Sequence, residues 1–282
     1  MSILLEPFSY PFFVRGIAVA TLAGVLCGLI GVYVVLRGMS YIGHGLSHAI
    51  FGGAVASFVT GVNFYVGAGA WGVLAALMIN RVARRRAIGA DAAIGVVTTA
   101  SFAVGLALMS RSTGFTRNFE AALFGSVLGV RAADIWIVAG VTAAVATFVF
   151  VAYRPLLFVT FDPEVAEASG VHTGRVDALF ALFLAATIVA TMQILGVVLI
   201  AAMLVIPAVV ARMVTDSFSR MLWLSVGTGG LSGFAGMYLS WYVDVASGAS
   251  IVLVAAALFL VVYAGSGLQG RRLRALDDVR AP

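Results

Sequence analysis

The feature that most constrains this chain is a succession of long apolar runs. Nine stretches, at roughly 12–36, 42–60, 63–81, 92–110, 133–152, 176–192, 195–212, 221–241 and 248–265, carry almost no charge. A bilayer core is crossed by ~20 helical residues, and in lipid a backbone must satisfy its own hydrogen bonds. The runs are continuous rather than alternating, which excludes a lipid-spanning sheet. The expected fold is all-α: a polytopic transmembrane helical bundle of about nine spans, forming one integral membrane domain over residues 1–282. Charge content agrees: 10% of residues are charged and mean hydropathy is +1.09, against about a quarter charged in soluble domains. The first run is longer than a signal-peptide core and has no small-x-small cleavage pattern, so it reads as a retained span. The stretch FEAALFGSVLGV (119–130) is apolar but short, and reads as interfacial or re-entrant.

All 17 basic residues are arginine, and lysine is absent. A phosphate-binding P-loop needs its lysine, and so does Schiff-base chemistry. If ATP drives this protein, another chain must bind it. The arginine usage itself reads as base composition. By the positive-inside rule, Arg81, Arg84, Arg85 and Arg86 are cytoplasmic, as is the polar tail 267–282 with Arg271, Arg272 and Arg274. Arg111, Arg117 and Arg131 then fall on the outer side as exceptions. The single cysteine, Cys27, excludes an internal disulfide and reads as a small packing residue. Gly24 with Gly28, and Gly229 with Gly233 and Gly236, mark faces where helix backbones approach closely. Gly52 and Gly53 suggest the same for the second span, and Pro207 a kink in the seventh.

Polar residues inside such a bundle need a reason. In YIGHGLSH, Tyr41, His44 and His48 fall on one helical stripe. Imidazole is a common ligand for borderline transition metals; the plainer reading is a hydrogen-bonded pair between helices. The spacing is that of the HExxH of zinc proteases, but Gly45 stands where the general base would be, so hydrolysis is excluded. Asp244, between the last two spans, reads equally as a third ligand, as an acid drawing cations to the outer mouth, or as a helix cap. Asp91 reads as the N-cap of the fourth span. Glu120 and Asp134 receive no role, and Thr191 with Gln193 mark the turn between spans six and seven.

The loop FDPEVAEASGVHTGRV (161–176) has Asp162 and Pro163 as a helix start and Gly170 as a stop. It predicts a short acidic helix on the cytoplasmic face, carrying Glu164 and Glu167. Such a helix suits the docking of a soluble motor, or is simply a capped loop. His172 lies in this loop and is set apart from the metal candidates.

Taken in order, these motifs resemble the permease subunit of ABC importers for divalent metals (zinc, manganese, iron). The resemblance is carried by GVYVVLRGMSYIGHGLSHAIFGG (31–53), DAAIGVVTTASFAVG (91–105), LFGSVLGVRAADIW (123–136), FDPEVAEASGVHTGRVDALF (161–180), GVVLIAAMLVIPAVVARM (196–213) and YVDVASGASIVLVAAALF (242–259). It implies that His48 stands on a family histidine, and that His44 stands where the family usually has an acid. Losing that acid removes a hard, charged ligand and tilts the expectation from manganese toward zinc. Gly52 stands where the family often has proline. Asp244 matches a recurring aspartate, so the implied metal set is His48, then His44, then Asp244. Loop 161–174, with Asp162, Glu164, Glu167 and Gly170, matches the helix that contacts the ATPase. The resemblance further implies a prokaryotic plasma (inner) membrane location and a second permease chain, identical or paralogous. It implies an ABC ATPase subunit, an extracytoplasmic metal-binding protein and surrounding lipid, with no nucleic acid. No cofactor is expected to stay bound; zinc, manganese or iron would be cargo. A permease for a metal chelate or siderophore is the alternative; a His/His/Asp metalloenzyme and a non-transporting scaffold are less favoured.

Overall fold

The computed structural model describes residues 3–83, 90–111, 125 and 130–280. Among these there is helix and no strand. A 3-10 segment, Ile3–Ser9, precedes α1 (Pro11–Leu36), α2 (Ser40–Thr60), α3 (Phe64–Ala83) and α4 (Ala90–Ser110). Then come α5 (Ala132–Val151), α6 (Tyr153–Phe161), α7 (Pro163–Ala168), α8 (Thr173–Leu195), α9 (Val197–Val214), α10 (Phe218–Val243) and α11 (Ser247–Arg280). Eight of these helices are long and apolar enough to cross a membrane. The expected ninth span corresponds to α10, whose 26 residues are long enough to cross but carry many glycines, serines and threonines, so that it falls short of the hydropathy of the other eight. Those small residues serve contact with a neighbouring helix rather than with lipid.

That neighbour is α1, and the two form the most extensive helix pair in the molecule. A Cβ placed on Gly24 would collide with the Gly229 carbonyl, one on Gly229 with the Gly24 carbonyl, and one on Gly233 with the Ala20 carbonyl. The helices run antiparallel with backbones in direct contact, and Ser225 Oγ donates to the Gly28 carbonyl at 2.7 Å. The same logic seats α2 on α4, where the backbones of Gly52 and Gly105 meet, and on α3, where Gly53 lies under Trp71. Contacts of α2 with α3, α4, α8 and α9 surround it, and its segment from Leu46 to Val55 is buried except for His48.

Helix ends follow local chemistry. Pro11 opens α1 at a position where its missing N–H costs nothing. Gly61 closes α2 at φ 71. The break between α8 and α9 is at Gly196, φ 79, so the expected markers Thr191 and Gln193 are corrected. Both lie inside α8, where Thr191 Oγ1 donates to the Thr187 carbonyl at 2.8 Å and needs no turn to be satisfied. Asp91 sits in the first turn of α4, which begins at Ala90, rather than capping it. Pro207 lies inside α9. The α11 helix continues through the polar tail as far as Arg280.

The pairing of α2 with α4 (Gly45 beside Ile94 and Thr98, Gly52 beside Gly105) makes these two helices parallel, while α3 runs against α2. Tyr65 at the start of α3 bonds Asp134 at the start of α5, so Ser110 and Ala132 lie at the same end of the bundle. The 119–130 segment, Glu120, Arg117 and Arg84–Arg86 fall outside the described residues, apart from Gly125 and Val130. Gly125, at φ 78, packs on the backbone of Ile194 and Leu195 at the end of α8.

Candidate metal pathway and coupling face

His44 and His48 lie one turn apart near the start of α2. Their ring centroids are 4.5 Å apart with planes at 68°, and Tyr41 stands 5.9 Å from His44. Between Ser40 and Val55 only Ser40, Tyr41, His44 and His48 escape burial. A helix enclosed on its other faces thus leaves one stripe open, and the two imidazoles occupy it. Phe102 of α4 borders the stripe, its ring 5.4 Å from His48. Thr98 of the same helix faces Gly45 with a buried hydroxyl that has no partner among the described residues.

Asp244 is elsewhere. It ends α10 in the left-handed region at φ 54, its N–H donating to the Ser240 carbonyl at 3.1 Å. It is exposed and closes α10, while Ser247 begins α11. Gly43 and Gly31 both abut Leu204, which sets the level of His44, whereas Trp241 touches Phe13 at 5.4 Å. The rise from Gly31 back to Phe13 is ~27 Å. Imidazole and carboxylate ligands sit ~2 Å from an ion, so Asp244 and the histidines of one chain are too far apart to share a single ion. Among the described residues no three His, Cys, Asp or Glu side chains converge on one point.

The short helix α7 forms as the sequence predicts. Asp162 Oδ1 accepts from the Val165 N–H at 2.9 Å, Pro163 takes the first helical position, and Gly170 leaves at φ 82. Ala166 is buried while Glu164, Val165 and Glu167 are exposed. The helix lies between two open grooves. One, about 570 Å³, is apolar and lined by Arg154, Leu157, Phe158, Phe161, Asp162 and Val165. The other, about 600 Å³, is of mixed character and runs from Glu167 through His172 to Arg175. Glu167 accepts from the Thr173 hydroxyl at 2.5 Å, tying the loop to α8. His172 is exposed here, in the loop ahead of α8, apart from the histidine stripe of α2.

Two groups passed over in the sequence carry long-range contacts. Asp134 is buried, accepting from Tyr65 Oη at 2.7 Å and from the Arg131 N–H at 2.7 Å, which pins α3 to the start of α5. Arg37, in the turn between α1 and α2, bonds Thr160 and Asp177 on either side of α7. Burial lowers the Arg37 pKa and the Asp177 carboxylate opposes that shift. A polar residue beside an apolar run gives no sign of a partner more than a hundred positions away.

The profile of the ABC 3 transport family matches residues 9–266. The chain belongs to the ABC 3 transport family. It is 39% identical over 262 residues to the manganese transport system membrane protein MntC of Halalkalibacterium halodurans, covering 93% of this chain and 90% of that one. It is 33% identical over 269 residues to the manganese import system permease protein ScaB of Streptococcus parasanguinis, covering 95% and 96%. Among solved structures, PsaBC from Streptococcus pneumoniae in complex with Fab superposes with a TM-score of 0.83 at 32% identity, covering 92% of this chain and 94% of that one. This ABC 3 family chain is thus a multi-pass protein of a prokaryotic plasma membrane, and a transport protein rather than an enzyme.

Proposed function

We propose that this chain is the permease subunit of an ATP-driven importer for a divalent transition-metal ion, and that the ion passes along the α2 stripe. The observation that carries this reading is that a helix buried on every other face leaves Tyr41, His44 and His48 open. Imidazoles turned toward lipid would be costly; turned toward a passage, they can bind and release a cation. Two rings 4.5 Å apart are within reach of a common ion bound at ~2 Å from each nitrogen. Among the described residues one chain offers too few ligands to hold the ion tightly, which suits a transient station and suits completion by water or a second permease chain.

The partners follow from the chemistry. Without lysine the chain has no P-loop, so an ABC ATPase must supply ATP hydrolysis and dock on α7. Asp162, Glu164, Glu167 and Gly170 shape that docking helix. A metal-binding protein would deliver the ion at the opposite end, where exposed Asp244 draws it in. The two relatives above carry manganese in their names; this chain's His44, in place of the acid expected there, favours zinc as the softer ion, with manganese and iron as the other candidates. Uptake of labelled zinc and manganese by a strain lacking this gene, with and without the gene restored, tests the reading. Restored uptake supports it. Uptake competed by a siderophore and not by free ions would instead favour the chelate permease.

A further inference from the structure

Arg37 lies in the short turn between α1 and α2, where a cation on the cytoplasmic side has water available. Its side chain is nevertheless only 8% exposed. Nε donates to Thr160 Oγ1 at 3.1 Å, Nη1 donates to Asp177 Oδ1 at 3.0 Å, and the guanidinium lies 4.5 Å over the Phe180 ring. Thr160 is near the end of α6, just ahead of the Asp162 that caps α7. Asp177 and Phe180 are in the first turns of α8, just beyond the same loop. One guanidinium therefore holds both arms of the docking segment.

Its backbone holds the other side. The Arg37 N–H donates to the Tyr33 carbonyl at 3.0 Å and the Met39 N–H to the Val34 carbonyl at 2.9 Å, so the turn is bound to the end of α1. Ser40 then starts α2, and His44 follows ~6 Å along the helix. Gly38, at φ 65, supplies the left-handed conformation that lets the chain turn from α1 into α2. Arg37 Nη2 and the Tyr33 hydroxyl are buried without partners among the described residues. A buried guanidinium that leaves a donor unspent is suited to exchanging partners.

We propose that Arg37 is the positioning residue that transmits movement of the α7 docking segment to the histidine stripe of α2. The proposal rests on the importer reading. When the ATPase shifts α7, Thr160 and Asp177 move with its two arms, and Arg37 carries that displacement into the turn from which α2 starts. No atom of Arg37 touches the ion; it acts through the placement of His44 and His48.

The test is the number of metal ions imported per ATP hydrolysed by the full complex in proteoliposomes. Wild-type complex showing ATP-dependent metal uptake secures the importer reading independently. In Arg37→Gln, assembly and ATP hydrolysis are expected to persist while the ratio falls by ~5-fold or more, the range of ordinary site-to-site coupling. Arg37→Lys recovers part of it, and Thr160→Val, which keeps the charge pair, lowers it less. A wild-type ratio in Arg37→Gln overturns the proposal. If Arg37→Gln does not assemble, Arg37→Lys and Thr160→Val decide. Reduced ratios at unchanged hydrolysis uphold transmission, while a wild-type ratio in both, or uptake and hydrolysis falling together, shows a purely structural pair.

Discussion

His44 and His48 are placed by an i, i+4 spacing, but their meaning comes from the residues around them. Gly45, Leu46 and Ser47 are buried against α4 and its neighbours, which turns both rings to the one open stripe. In the proposed importer, position 44 sets the hardness of the ligand pair. The variant His44→Asp is expected to shift uptake from zinc toward manganese by about tenfold, the effect of ~1.4 kcal/mol in differential binding. A zinc-to-manganese uptake ratio equal to wild type would refute the ligand role of His44. Asp244 follows Trp241, whose ring meets Phe13, and the level of Phe13 is ~27 Å by helix rise from that of Gly31. Asn tolerates its left-handed backbone, so Asp244→Asn removes charge without strain. The half-maximal metal concentration should rise several-fold at low salt while the maximal rate holds, and the difference should shrink as salt screens the field. A loss of maximal rate instead would place Asp244 in the main passage.

At the scale of elements, close helix approach and helix capping do most of the organising. Gly24→Ala pushes a methyl group into the Gly229 carbonyl, whereas Gly227 faces open space. Gly24→Ala is expected to destabilise the purified permease by ~1–3 kcal/mol, as overpacking does, and Gly227→Ala to leave it near wild type, read as melting temperature in detergent. Equal melting temperatures would contradict the α1–α10 interlock. Asp162→Ala removes the cap of α7 at a cost of ~1 kcal/mol, and co-purification with the ATPase should weaken; unchanged association would show that α7 is not the docking element. The spans were legible because lipid forces continuous apolar helices, and the α7 start was legible in Asp162–Pro163. The α8–α9 break lies beyond the markers the sequence offers: Thr191 is polar yet satisfied within the helix, Gln193 also lies inside α8, and Gly196 makes the break. The short helix α6 gave no signal, since it follows α5 with scarcely an interruption. Arg37 and Asp134 were illegible for another reason: their partners are fixed by the fold.

Across the whole molecule, the chain has two ends with different tasks. One carries the N-terminal segment, Asp244 and the aromatic contacts of Phe13 with Trp241. The other carries Arg37, α7 and the grooves beside it, with the histidine stripe starting just inside. Energy is expected to enter at one end and the ion at the other, so that α2 is where the two meet. The measurement that tests this most directly is ATP-dependent uptake of labelled zinc and manganese by proteoliposomes holding permease, ATPase and binding protein, with wild-type chain against His44→Ala/His48→Ala. The account predicts that the double variant assembles and hydrolyses ATP yet imports neither ion above background. Import at the wild-type rate by that assembled variant would contradict it.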